Sequence, residues 1–197
     1  PFSLTGRLHG ITETMMDSYL EPELMHAILE KATAFVIRYV SALKARGANG
    51  VVLAEPLTGM LPPQSAETLS EPYVRRLIEA VQDDTFAVIY HNCGPVTLML
   101  DSIFRLGAAG YHFGNAVNMA EILPKAPKDA LILGNVDPTA QFFSGTPASI
   151  RENTMQILSD CAKYPNFVIS SGCDIPPTTS WENIDAFFDA VSAFYQK

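Results

Sequence analysis

Short apolar runs alternate with longer helix-like stretches along the whole chain, and this alternation narrows the fold more than any other feature. Residues 2–5, 50–54, 86–91, 109–113, 130–134 and 167–171 read as strands. Most are continuous apolar runs, as parallel strands covered on both faces require. A long helix is expected after Pro22, running to Arg46, with a proline in its first turn and Gly47 just past its end. Its apolar positions Leu24, Ile28, Ala32, Phe35, Val36 and Val40 define the expected buried face. The segment EPLTGMLPPQ reads as a loop, and further helices are expected near 70–81, 96–105, 119–123, 147–162 and 181–195. Six successive βα units imply an α/β protein with a parallel sheet.

A closed (β/α)8 barrel takes about 250 residues, and this chain has 197. The alternatives are an open sheet or a barrel whose first units lie outside the chain. Because the chain starts on a strand-like run and lacks an initiator Met, the second reading is taken. Residues 1–197 are thus expected to form one partial TIM-barrel catalytic domain, the C-terminal six βα units of the barrel. Six units alone would leave two open sheet edges, so a homo-oligomer is expected if this piece folds by itself.

Composition excludes several partner classes. A net charge of −8 argues against nucleic acid and against an anionic membrane surface. No 18-residue apolar run and no signal-peptide pattern are present. Three cysteines, an odd and low number, suggest a reducing, cytoplasmic setting and not a disulfide framework. Neither GxGxxG nor GxxxxGK followed by Ser or Thr occurs, so the common nucleotide-binding motifs have no support.

Two of the cysteines sit where chemistry gathers in parallel α/β folds, at strand carboxyl ends. One expected strand ends in His91-Asn92-Cys93-Gly94, another in Ser171-Gly172-Cys173-Asp174. His91 and Cys93 are two apart, so in extended backbone they face the same way. One imidazole and two thiolates suit zinc, and three protein ligands with a fourth position open is the catalytic pattern. Buried structural roles for both cysteines and the histidine are the alternative.

HNCG, GNVDP (134–138) and SGCDIPP (171–177) together resemble the uroporphyrinogen decarboxylase superfamily, and within it the cobalamin-dependent methyltransferases of the methylcobamide:coenzyme M type. The resemblance runs over essentially the whole chain. It implies a (β/α)8 barrel, Zn2+ on His91, Cys93 and Cys173, and transfer of a methyl group between a corrinoid and a small-molecule acceptor or donor, often a thiol. No Asp-x-His-x-x-Gly is present, so the resemblance implies a corrinoid carried by a separate partner protein. Uroporphyrinogen decarboxylases proper lack the His-x-Cys pair and bind substrate through arginines of an N-terminal motif absent here. A carboxy-lyase without metal is the enzymatic alternative, and a non-catalytic member of the fold the other.

Three polar residues complete the expectation. Glu55, after the second strand, is a candidate fourth ligand or substrate-orienting group. Asn135 and Asp137, after the fifth, are candidates for contact with the ligand histidine or substrate, since metal-bound imidazole usually donates its other N–H to such a group. Turn chemistry is their alternative. His9 is a candidate for the barrel mouth, and the role of His112 depends on the face of its strand.

Overall fold

The computed structural model describes residues 1–196. Five strands lie in one sheet in the order β1-β2-β3-β4-β5, the chain order expected of successive βα units. They are β1 (Gly50–Ala54), β2 (Ala87–Asn92), β3 (Gly110–Phe113), β4 (Leu131–Val136) and β5 (Phe167–Ser171). β1 pairs parallel with β2, and β4 parallel with β5. The chain divides into two compact units, Pro1–Tyr111 and His112–Lys197.

In the first unit, three helices precede the sheet: α1 (Phe2–His9), α2 (Ile11–Leu20) and α3 (Pro22–Ala45). The run 2–5 is therefore helix and not strand, which leaves five βα units in place of the expected six. Phe2, Ser3, Thr5 and Gly6 are buried, whereas Arg7 and Leu8 are exposed. That is the spacing of one helix face, and an apolar tetrapeptide alone cannot be told from a strand.

α3 matches its expected bounds, but its buried face keeps only Ala32 and Val40 of the expected positions. Met25, Leu29, Ala32, Thr33 and Val40 are buried, while Leu24 and Phe35 are exposed. The helix carries two apolar stripes. The second, with Ile28 and Phe35, lines an apolar groove of about 550 Å³ together with Leu4 and Leu8. The expected loop after β1 holds a 3-10 turn (Pro56–Met60) and a further helix, α4 (Pro63–Leu69), ahead of α5 (Glu71–Val81). A carboxylate anchor fixes α5 to α6 (Leu100–Phe104): Glu71 accepts from Ser102 Oγ at 2.7 Å and from Arg105 Nε and Nη2 at 3.0 and 2.7 Å.

In the second unit, α7 (Met119–Ile122), α8 (Pro147–Cys161) and α9 (Trp181–Tyr195) follow β3, β4 and β5. Thr146 and Ser149 form a capping box at the start of α8. Val136, Phe142, Ile150, Ala186 and Phe187 pack as one apolar cluster. Phe142 and Phe187 stack tilted at 5.4 Å between ring centroids. β4 extends two residues beyond its expected end, so Asn135 belongs to the strand. The two outer strands are not covered on both faces: Val52 of β1 is 64% exposed and Val168 of β5 39%.

Candidate metal centre

β2 and the residue just after it deliver the first two candidate ligands. His91 lies opposite Ala54 in the β1–β2 ladder, and Glu55 N–H donates to His91 C=O at 2.9 Å. His91 is buried and Cys93 half-buried. Between them, Asn92 points the other way and is fully buried. Its Nδ2 donates to the Glu55 carbonyl at 2.7 Å and to Tyr90 Oη at 3.4 Å, and its Oδ1 accepts from Gly94 N–H at 2.8 Å. The tight turn requires glycines. A Cβ on Gly59 would lie 2.8 Å from Asn92 Oδ1 and 3.2 Å from the Gly94 Cα. Burial pushes the Tyr90 phenol far above its ordinary range, so it stays a neutral partner for Asn92. The HNCG motif does not by itself disclose Asn92 as a clamp; its place between two candidate ligands was the available signal.

β5 delivers the third. Gly172 N–H donates to Val136 C=O at 2.7 Å, continuing the β4–β5 ladder by one bond, and Cys173 follows, half-buried. A Cβ on Gly172 would sit 2.8 Å from the Asn115 nitrogen, so only glycine fits there. Among the described residues, His91, Cys93 and Cys173 form a group in which one donor atom of each lies within 4.8 Å of the others. Tetrahedral zinc with Zn–S of about 2.3 Å and Zn–N of about 2.0 Å places neighbouring donors roughly 3.5–3.8 Å apart, which lies inside that limit. Soft thiolates with an imidazole fit zinc and not a hard cation.

The other candidate residues have defined partners. Glu55 is buried and accepts from Ser3 N–H at 3.0 Å and Thr58 Oγ1 at 3.2 Å. Asn135 is buried and donates to Gly114 and Val117 carbonyls at 2.9 and 2.7 Å, tying down the segment after β3. Asp137 caps the π-helical turn Pro138–Phe143, accepting from Thr139 and Ala140 N–H at 2.8 Å each, and accepts from Asn115 Nδ2 at 2.7 Å. Asn135 and Asp137 line a cavity of about 330 Å³, part polar and part apolar, with Asn118, Gln141, Met119 and Ile157. His9 closes α1 and pairs with Asp17 at 2.7 Å, so it follows no strand. His112 Nε2 meets the Ser171 carbonyl at 2.7 Å. Cys161 is 1% exposed in α8, and burial pushes its thiol up to about 11. Among the described residues, no helix is long and apolar enough to cross a membrane.

Comparison with known proteins places the chain in a family. The family model described as uroporphyrinogen decarboxylase (URO-D) matches residues 1–194. A uroporphyrinogen decarboxylase of Anaeromyxobacter sp. (strain Fw109-5) is 29% identical over 100% of this chain and 56% of its own length. A methylcobamide:CoM methyltransferase of Methanosarcina acetivorans is 22% identical over 98% of this chain and 56% of its own length. A solved methyltransferase structure from Methanosarcina mazei superposes with a TM-score of 0.83 at 22% identity, covering 95% of this chain and 56% of that one. The chain spans about half the length of the curated relatives it matches. With its parallel sheet, its strand-end motifs and a family match over nearly every residue, the chain belongs to the uroporphyrinogen decarboxylase (URO-D) family.

Proposed function

We propose that this chain is the metal-holding part of a zinc-dependent methyltransferase, moving a methyl group between a corrinoid on a partner protein and a small molecule, most simply a thiol. One observation carries the reading: the donor atoms of His91, Cys93 and Cys173 lie within 4.8 Å of one another. His91, Cys93 and Cys173 would hold zinc, which would supply Lewis acidity that favours the thiolate form of a substrate thiol. His91 holds through a neutral imidazole, and Cys93 and Cys173 give up their protons on binding, so occupancy tightens as pH rises. Asn92 fixes the turn from which Cys93 projects. Glu55, Asn135 and Asp137 act in this reading through the backbone they hold. The methylcobamide:CoM methyltransferase relative supports the corrinoid partner.

Carboxylate removal is the second reading, because several relatives are uroporphyrinogen decarboxylases. A lyase acting on a polycarboxylate needs cations to bind it. The segments after the five strands, residues 55–62, 93–96, 114–118, 137–146 and 172–180, contain no Arg or Lys. They do contain Cys93 and Cys173. These segments thus carry soft-metal donors, and a decarboxylase reading would need its anion-binding cations from elsewhere.

The test is metal analysis of the purified chain, followed by cobalamin spectroscopy with methylcobalamin and candidate thiols. About one zinc per chain is expected, falling to background in Cys173→Ala, with thiol-dependent loss of methylcobalamin. Zinc content unchanged in Cys173→Ala removes the proposal.

A further inference from the structure

We infer that His112 is a positioning residue for Cys173, aiming the thiol at the metal by holding the peptide plane that precedes it. The inference rests on the metal-centre reading above. His112 lies in β3 and Ser171 ends β5, with β4 between them in the sheet. The half-buried imidazole crosses that strand to place Nε2 2.7 Å from the Ser171 carbonyl oxygen. A carbonyl only accepts, so Nε2 carries the proton and donates. Ser170 Oγ lies 3.1 Å from the same nitrogen and donates to the same carbonyl at 3.0 Å.

The consequence follows from covalent geometry. The Ser171 C=O and the Gly172 N–H belong to one planar peptide unit. The N–H end is fixed to the Val136 carbonyl at 2.7 Å, and the C=O end to His112 at 2.7 Å. The plane is therefore held at both ends. Between it and the Cys173 Cα lie only the two torsions of Gly172, and that residue is hemmed in by Asn115. The Ser170 hydroxyl already satisfies the Ser171 oxygen, so the imidazole is not needed for hydrogen-bond satisfaction alone. What it adds is direction, because the ring ties the plane to a third strand.

The experiment measures zinc affinity of the full chain by competition with a chromophoric chelator, and thiolate-to-metal charge-transfer absorption after Co(II) substitution. Removing a group that orients a metal ligand weakens binding about 10- to 100-fold. That loss is expected for His112→Phe, which keeps a ring without a donor, together with weakened charge-transfer bands. His112→Gln, whose amide can donate to the same carbonyl, is expected to bind within about threefold of the parent protein. Should the Phe variant not fold, His112→Met is the donor-free lesion that decides. A donor-free variant that folds and keeps the parent affinity and cobalt spectrum overturns the inference while the metal centre stands. A parent protein that binds neither zinc nor cobalt removes the metal centre itself, and this inference with it.

Discussion

Asn92→Ala tests whether the turn bearing Cys93 is held by the one buried amide inside it. The side chain is fully buried and makes two short hydrogen bonds, to the Glu55 carbonyl at 2.7 Å and from Gly94 N–H at 2.8 Å. Each contributes about 1 kcal/mol net, and the vacated volume adds roughly 1 kcal/mol more. The Glu55 carbonyl keeps Thr58 N–H at 3.2 Å, so its loss stays at the lower end. The sum is about 2–3 kcal/mol. With a urea slope of about 2 kcal/mol/M, the unfolding midpoint falls by about 1–1.5 M. Zinc affinity should fall about 10- to 100-fold, since the residue orients the ligand pair around it. Asn92→Asp keeps the shape but turns a carboxylate toward the Glu55 carbonyl. Burial raises that carboxyl's pKa on folding, so its penalty is small below an ordinary value of about 4 and grows as pH rises. Urea titration of metal-free protein and chelator competition are the assays. An alanine variant within about 0.5 kcal/mol of the parent, with parent zinc affinity, would refute the clamp.

Three further outcomes are expected. Asp137→Ala should lower stability by about 1–2 kcal/mol through loss of its capping bonds, with zinc content unchanged; zinc lost on this substitution would place Asp137 at the metal. In metal-free protein at pH 8, iodoacetamide should label Cys93 and Cys173 while Cys161, buried with its thiol pushed up to about 11, stays unlabelled; zinc should protect the first two, and peptide mass spectrometry reads all three. The Arg105 guanidinium holds the Glu71 carboxyl below its ordinary 4.5, so the stability this contact contributes is complete above that pH and fades as pH falls through the lowered value. The difference in urea midpoint between parent and Glu71→Gln should therefore shrink between pH 7 and pH 3, and a difference independent of pH would exclude the ion pair as its source.

Two of the three candidate ligands were legible because their spacing is local: extended backbone through His-x-Cys at a strand end puts both donors on one side, whereas Cys173 was legible only as a second strand-end cysteine. The fold class was legible for the same reason, since continuous apolar runs between amphipathic stretches have few parallel solutions. What escaped was set by tertiary context. Residues 2–5 bury a helical face because α1 docks against α3 and the turn after β1, and four apolar letters carry no period to reveal it. On α3 either apolar stripe satisfies the pattern, and packing chose Met25 and Leu29 over Leu24 and Phe35. Asn135 and Asp137 sit where turn formers gather, so the sequence favours turn chemistry beside a contact with substrate; it does not name their partners, the Gly114 and Val117 carbonyls and the Thr139 and Ala140 amides.

Linkage between metal binding and folding separates residues that donate to the metal from those that hold the donors. Zinc that binds only the folded chain stabilises it by about 2.7 kcal/mol at a free concentration 100 times its Kd. Cys173 is half-buried and follows the last ladder bond, so Cys173→Ala should leave metal-free stability within about 0.5 kcal/mol of the parent while erasing most of that zinc-dependent increment. Asn92 is fully buried and bonded on both sides, so Asn92→Ala should lower metal-free stability and reduce the increment together. Thermal or urea unfolding of both variants, with and without buffered zinc, reads the two quantities independently. If Cys173→Ala retains the full zinc increment, the stabilising ion binds elsewhere. If Asn92→Ala loses only the increment, the amide orients the donors without supporting the fold, and the assignment of that side chain as a structural clamp fails.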